Sequence, residues 1–376
     1  MQDYPVKLLQ TMLEAYSPSG SEGKLAKLLA QHMTKLGFNV RRDQVGNVIG
    51  ESGDESPRIL LCGHMDTIPG ELPVRHDETY LYGRGAVDAK SALAAMLVGS
   101  YLATRRSKSP LGVTVVGVVE EETTSAGVKS LIDEGASYDL AVFGEPSGAN
   151  AIIIGYKGCT KLQVTCQTSG GHSAAPWLSK NSIEEAFEFW KLLKTSMLRN
   201  DSAEKFPFLT GCITGIRAGE GENSIPSRAV LNIDIRIAPK IRPDEVSGQI
   251  EELAKQYESS HAGTRIIVET RDQCPGFVGN SNSLAVQVFR WTIKRTLRGQ
   301  VDLLKKTGTS DMNVFAQTHN IPMIAYGPGD STLDHTKYER ISIREYLDSI
   351  EVYAKAIERF ADLYRDRGLQ PVSMSQ

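Results

Sequence analysis

The sequence predicts an α/β protein: a mostly parallel sheet flanked by helices, with a second α+β module set into it. Three observations carry that reading. Short apolar runs at Ile59–Leu61, Leu111–Val119 and Leu140–Phe143 each end in a glycine- or acid-rich stretch, as buried strands do. Helical stretches alternate with these runs, which calls for crossover connections and a parallel sheet covered on both faces. From Tyr156 onward the apolar period switches to two, the mark of strands with one wet face.

Apolar spacing predicts helices over residues 4–16 and 22–36, separated by Ser17-Pro18-Ser19-Gly20-Ser21. Phe38–Val40 and Asn47–Ile49 read as strands around a turn. The run at 59–61 follows, then a loop over 70–77 that holds Pro73. Ser91–Ala103 is rich in Ala, Leu and Met and is a strong helix former. After Leu140–Phe143, alternation marks strands at Leu162–Cys166, Leu209–Arg217, Arg228–Ile237 and Arg265–Thr270, with helices at Ser182–Thr195 and Pro243–Tyr257. Strand-helix-strand-strand-helix-strand is the split βαβ pattern of a ferredoxin-like module. The chain then returns through a helix at 283–296, an apolar strand at 322–326, a Gly/Pro/Asp loop and a final helix from Ile343 to about Tyr364. The expected organisation is a discontinuous domain, 1–155 with 273–376, interrupted by an inserted domain at 156–272.

A chain of 376 residues exceeds the size at which one core stops growing, in keeping with two domains. Its 40% hydrophobic and 23% charged content is ordinary for a globular protein. A net charge of −3 supplies no basic footprint for nucleic acid. No segment has the length of a membrane span, and the amphipathic N-terminus lacks a signal-peptide core, so no membrane partner is expected. Five scattered cysteines without a C-x-x-C pair predict reduced thiols and a cytoplasmic location.

The chemistry gathers at strand ends. His64 and Asp66 stand two apart at the end of the 59–61 run, so an extended backbone points both side chains to one side. That suits a metal-bound imidazole beside a carboxylate that orients a neighbouring group. Taken alone, His-x-Asp reads more readily as a surface histidine near a turn. Gly83-x-Gly85 invites a dinucleotide-binding reading, but the third glycine of that fingerprint is replaced by Asp88, whose charge would repel a pyrophosphate. Glu120-Glu121-Glu122 could be a solvated acidic cap. It follows a strand too apolar for an edge, however, and strand ends are where α/β sites form. With Glu145 and His335, these residues supply two imidazoles and several carboxylates. That donor set suits two divalent metals, which in such sites lie about 3.5–4 Å apart and activate a water.

His64-x-Asp66, Gly83-Arg84-Gly85-x-x-Asp88-x-Lys90, Glu121-Glu122, Gly144-Glu145-Pro146, Gly171-His172-Ser173 and Asp334-His335 occur in the order seen in one family. The chain resembles, over nearly its whole length, the di-zinc aminoacylase/carboxypeptidase enzymes, which include acetylornithine deacetylase and succinyl-diaminopimelate desuccinylase. The resemblance implies that the inserted module is a lid and dimerisation domain. It implies that His64 with Glu145, and Glu122 with His335, hold two zinc or cobalt ions bridged by Asp88. Glu121 matches the general acid/base and Asp66 the carboxylate that orients His64. His172, Asn223, Arg236 and Ser310 match substrate-holding positions, with His172 reaching a neighbouring subunit's site in a homodimer. Glu120 departs from the family, which usually has Asp there.

Within that family the likeness is strongest to the branch that frees lysine from an amino-group carrier protein, through Gly155-Tyr156-Lys157-Gly158, Lys306–Asn313 and Tyr326–Ser331. It implies hydrolysis of the amide between the carrier's C-terminal glutamate γ-carboxyl and the α-amino group of lysine, or in some cases ornithine. The alternatives within the family are deacylation of a small N-acyl amino acid (acetylornithine, acetyl-lysine or succinyl-diaminopimelate) and carboxypeptidase action. Basic and acidic residues balance across 156–272, so composition does not choose between a carrier and a small substrate. Two readings lie outside the family. Gly171-His172-Ser173-Ala174-Ala175 approaches a nucleophile elbow, but Pro176 and Trp177 stand where that motif needs a helix. A binding protein that had lost its chemistry would lack a base or a ligand, and none is missing.

Overall fold

The computed structural model describes residues 3–219 and 221–366. The chain divides into two compact units. The first is Met1–Gly155 with Gly279–Leu304 and Ser310–Gln376; the second is Tyr156–Val278 with Lys305–Thr309.

The first unit opens with helices α1 (Tyr4–Glu14) and α2 (Gly23–Lys35), followed by strands β1 (Asn39–Arg42), β2 (Val48–Ser52) and β3 (Arg58–His64). After the short strands β4 (Arg75–His76) and β5 (Tyr80–Tyr82) come α3 (Lys90–Arg106), β6 (Gly112–Val118), α4 (Ala126–Asp133), β7 (Leu140–Phe143) and β8 (Ala151–Tyr156). The second unit holds β9 (Gly158–Gln167), β10 (Gly171–His172), α5 (Ser182–Met197), β11 (Thr210–Ala218), β12 (Ser224–Ile225), β13 (Arg228–Ile237), α6 (Pro243–Ser260), β14 (Arg265–Cys274) and β15 (Phe277–Val278). The chain returns through α7 (Leu284–Leu297), β16 (Asp302–Lys306), α8 (Asp311–Phe315), β17 (Met323–Ala325), β18 (Arg340–Ser342) and α9 (Ile343–Asp366).

The main sheet of the first unit runs β1-β2-β6-β3-β7-β17-β8. Its centre, β6-β3-β7-β17, is parallel throughout, and β1, β2 and β8 are antiparallel additions at the sides. Four parallel strands deliver their carboxyl ends to one rim, where open α/β sheets carry their sites. β3, β6 and β7 are buried along almost their whole length, as parallel strands covered on both faces must be. The expected helix over 91–103 is α3. It is buried on most sides and packs on α9 and β3, which explains its apolar run without a polar stripe. Gly99 makes the α3–α9 approach feasible, since a Cβ there would stand 2.5 Å from Tyr353.

In the second unit the sheet order is β11-β13-β9-β14, all antiparallel. The alternating residues Leu162, Val164 and Cys166, with Leu231, Ile233 and Ile235, share one buried cluster with Phe189 and Leu193 of α5 and Val246 and Ile250 of α6. Both helices therefore cover the same face. The boundary expected after residue 272 lies further on. β14 stays in register with β9 to Cys274↔Cys159, and Gly276 lies against Gly158 too closely for a Cβ on either. Residues 305–309 also group with this unit. No helix among the described residues is long and apolar enough to cross a membrane.

Candidate active site

The rim of the parallel sheet collects the charged residues singled out above. β3 ends on His64, whose register partner in β6 is Val118. Two residues past Val118 the chain turns through Glu120, Glu121 and Glu122. On the other side, Cys62 pairs with Phe143, so Glu145 and His64 each lie two residues beyond a matched pair. Carrying that register forward sets them level on neighbouring strands and on the same side.

Asp88 is the hub. One of its oxygens lies 3.2 Å from His64 Nε2, and the other lies 3.1 Å from His335 Nε2. His335 Nε2 is also 3.0 Å from Glu122 Oε1. Asp88, Glu122 and His335 can each offer a ligand atom within 4.8 Å of the others. A carboxylate that presents separate oxygens to two imidazoles, with a further carboxylate at one of them, is a donor set for two adjacent divalent cations. The second face of His64 is fixed as well. Its Nδ1 lies 2.9 Å from the Asp66 carbonyl and 3.5 Å from an Asp66 carboxylate oxygen, which fixes the ring orientation with Nε2 turned to Asp88.

The Asp66 carboxylate has a further task that the His-x-Asp spacing does not reveal. Oδ1 accepts the Glu121 backbone N–H at 3.1 Å, and Oδ2 accepts the Glu122 N–H at 3.1 Å and the Ser19 hydroxyl at 2.7 Å. One buried carboxylate thus holds the main chain of both glutamates. Glu22 accepts the Glu120 N–H at 3.2 Å, and Asn47 accepts the Val119 N–H and donates to the Gly127 carbonyl. Ser19, Glu22 and Asn47 escaped the motif reading because their partners are main-chain groups distant in sequence. Glu120 adopts φ 57° and His335 φ 62°, a left-handed conformation uncommon outside glycine. Such backbone costs on the order of 1–3 kcal/mol and gathers at functional sites. The turn at Glu120 directs its side chain to Thr124, while Glu122 faces His335.

Charge in this cluster is heavily perturbed. Burial opposes a charged His64, yet hydrogen bonds to Asp66 and Asp88 outweigh it and hold the imidazole well above its usual range. His335 is pushed up to about 10, first by Asp88 and then by Glu122. Burial, then the charge of Glu145, raises the Glu121 carboxyl well above the ordinary carboxylate range. Burial likewise raises Asp311 to about 7, against a pull downward from Ser125. Neither Asp311 oxygen has a hydrogen bond of good geometry. Carboxyls pushed upward in a confined rim are what proton-transfer chemistry uses.

The remaining expected residues sit on other elements. In the second unit His172 ends β10 and pairs with Ser224 of β12, and Asn223 directly precedes β12, its carbonyl accepting the Ser173 N–H. Arg236 of that unit grips Asp234 through two nitrogens and reaches Thr309 Oγ1 at 3.4 Å. Ser310, in the first unit, caps α8: its hydroxyl accepts the Met312 N–H, and the Asn313 side chain accepts the Ser310 N–H.

Residues 60–359 match the model of peptidase family M20/M25/M40. A relative from Pyrococcus furiosus is 35% identical over 352 residues, covering 94% of this chain and 96% of its own, and is named a putative [LysW]-lysine/[LysW]-ornithine hydrolase. One from Saccharolobus solfataricus, named a [LysW]-lysine/[LysW]-ornithine hydrolase, is 32% identical over 355 residues, 94% of each chain. Among solved structures, a Staphylococcus aureus tripeptidase superposes with a TM-score of 0.81 at 21% identity, covering 96% of this chain and 99% of its own. A Bacillus subtilis dinuclear metal-binding peptidase of the M20 family gives 0.73 at 14% identity, covering 96% and 98%. With its rim of paired imidazoles and carboxylates, the chain belongs to peptidase family M20/M25/M40 and is a metal-dependent hydrolase.

Proposed function

We propose that the protein releases L-lysine, and also L-ornithine, from the C-terminal γ-glutamyl amide of an amino-group carrier protein of the LysW type. The observation that supports the chemistry is the Asp88 carboxylate shared between His64 and His335, with Glu122 on the far side. The relatives' names support the substrate. On this reading His64 and Glu145 would hold one ion, Glu122 and His335 would hold the other, and Asp88 would serve both. Zinc or cobalt fits this mixture of imidazole nitrogens and carboxylate oxygens. When bound, such a pair polarises the amide carbonyl and lowers the pKa of a water.

Glu121 does the proton work. Its carboxylate takes a proton from the attacking water as the water oxygen bonds to the amide carbon. It then delivers that proton to the departing nitrogen as the C–N bond breaks, leaving a carrier carboxylate and free amino acid. Its burial and the nearby Glu145 make the protonated form accessible, which the second half of the cycle needs. Asp66 keeps Glu121 and Glu122 in register with His64. His172, Asn223, Arg236 and Ser310 are the proposed substrate-holding residues, His172 acting in a neighbouring subunit's site. The same reading makes the protein a cytoplasmic homodimer serving lysine and arginine biosynthesis, in keeping with cysteines scattered without a C-x-x-C pair.

The test offers cobalt- or zinc-loaded protein three amides in parallel: carrier γ-glutamyl-lysine, N-acetylornithine and N-succinyl-diaminopimelate. Amine release from the carrier conjugate alone, absent in Glu121→Gln, is the expected result. Preference for a small acyl amide would overturn the carrier reading.

A further inference from the structure

The loop that carries Asp88 has a buried anchor of its own. Glu339, 2% exposed, aims one carboxylate oxygen at three main-chain donors: the N–H groups of Gly85 at 2.9 Å, Val87 at 3.0 Å and Asp88 at 3.1 Å. Backbone donors converging on one point form an anion-holding nest, and here the anion is a side chain of the protein itself. The second oxygen takes Arg84 Nη1 at 2.9 Å. Arg84 also donates to the carbonyls of Gly70 at 3.0 Å and Thr336 at 3.1 Å. Glu339 stands four residues after His335, at the mouth of the β18–β5 ladder in which Arg340 pairs with Tyr82. Gly85 is suited to this nest: it sits at φ 88°, and a Cβ there would lie 2.8 Å from the Lys90 side chain.

The two segments joined in this way are the one that ends on Asp88 and the one that begins at His335. A single carboxylate holds the main chain of the first, and its guanidinium partner holds the residue next to His335. We propose that Glu339 is a positioning residue, whose carboxylate sets the separation of Asp88 from His335 and with it the spacing of the two metal positions. This rests on the ligand assignment proposed above. Glu339 touches no reacting atom and acts only through the main chain of Asp88 and the Arg84 fork. A carboxylate can accept all of these donors, whereas a carboxamide must turn an N–H₂ either towards the nest or towards the guanidinium.

The experiment is a Co²⁺ titration of metal-stripped protein, read by visible absorption and calorimetry, with far-ultraviolet circular dichroism as the check on folding. Wild type is expected to take up two equivalents. Glu339→Gln is expected to keep one within about threefold of the wild-type affinity and to weaken the other by about 10–100-fold, the range seen when groups behind metal ligands are removed. Its visible band should change shape, which a merely structural loss of stability would not cause. Arg84→Lys keeps Glu339 and its three N–H donors but loses the fork, and should weaken the same equivalent several-fold. Two wild-type-like equivalents in folded Glu339→Gln would overturn the inference. So would a Glu339→Gln that fails to fold alongside an Arg84→Lys that binds normally, since Glu339 would then serve the fold alone. Fewer than two equivalents in wild type would instead remove the ligand assignment, and the inference would fall with it.

Discussion

Replacing Asp66 by Asn tests how the site is held together. The carboxylate, itself fully buried, accepts Glu121 N–H and faces His64 through Oδ1, and accepts Glu122 N–H and Ser19 O–H through Oδ2. An asparagine has one acceptor oxygen. If it sits at the Oδ2 position, its N–H₂ meets the Glu121 N–H; if it flips, the Glu122 N–H and the Ser19 hydroxyl lose their partner. Either way a buried donor goes unmet, costing about 1–3 kcal/mol, and bonds to a charged acceptor worth about 1.5–3 kcal/mol are weakened. The expected loss is about 2–4 kcal/mol in the metal-free protein. Ser19→Ala removes one donor and leaves the carboxylate, so it should cost about 1 kcal/mol. Urea unfolding followed by Trp291 fluorescence, in a Trp177→Phe, Trp190→Phe background, reports the first unit by itself. In loaded enzyme Asp66→Asn should also lower kcat/KM by about 10–100-fold through displacement of Glu121, Glu122 and His64. An Asp66→Asn protein within about 0.5 kcal/mol of wild type would refute the main-chain clamp.

Other outcomes follow from the same geometry. Glu121→Gln should lower kcat by about 10²–10⁴-fold with little change in KM, in steady-state assays on the carrier conjugate. Asp311 has a folded pKa of about 7 against an unfolded value near 3.8, so the folded chain holds a proton the unfolded chain has lost. That contribution to stability is present below about pH 4 and is lost as pH rises to about 7. Metal-free Asp311→Asn should accordingly outlast wild type by a margin that grows over this range to at most about 4 kcal/mol; a flat difference in urea midpoints would refute it. Chelator treatment should lower the unfolding temperature and added zinc or cobalt should restore it, with about 2.7 kcal/mol gained at a hundred times the dissociation constant.

The chain's regular elements were legible where the apolar period was unbroken. β3, β6, β7, α3 and α9 lie close to their expected positions. β8, with its run Ala151–Tyr156, went unread because no helix or polar turn separates it from β9, so the two merged into one change of pattern. β16 has only two apolar residues, and α4 is a single short helix behind an acidic run. The domain boundary slipped because β14 ends in the mixed stretch Arg271–Cys274, whose pairing with β9 carries no alternation signal beyond a bulge. At the site, His64, Asp88, Glu122 and His335 were legible because their type and order are unusual, and the structure brings those four together. The residues that hold their main chains were not. Asn47, Glu22 and Glu339 act on backbone N–H groups 72, 98 and 251 to 254 residues away. A backbone donor has no residue identity, so such partnerships leave no trace in composition or spacing.

Two levels of placement can be separated by experiment. The register of the parallel sheet sets His64 level with Glu145. The ladder does not extend to Glu121, Glu122 or Asp88, and there Asp66 fixes the Glu121–Glu122 turn while Glu339 fixes the Asp88 loop. These two clamps share no bonding partner. In metal-free protein the costs of Asp66→Asn and Glu339→Gln should therefore add to within about 0.5 kcal/mol, as for independent sites. In metal binding they should not add. Once either loop has moved, the pair of cations has lost its spacing, and moving the second loop removes interactions that are already gone. A double-mutant cycle on Co²⁺ affinity should then show a coupling on the order of 0.5–3 kcal/mol. Additivity in both measurements would mean that the clamps serve separate ions, and that Asp88 does not join the two halves of the site.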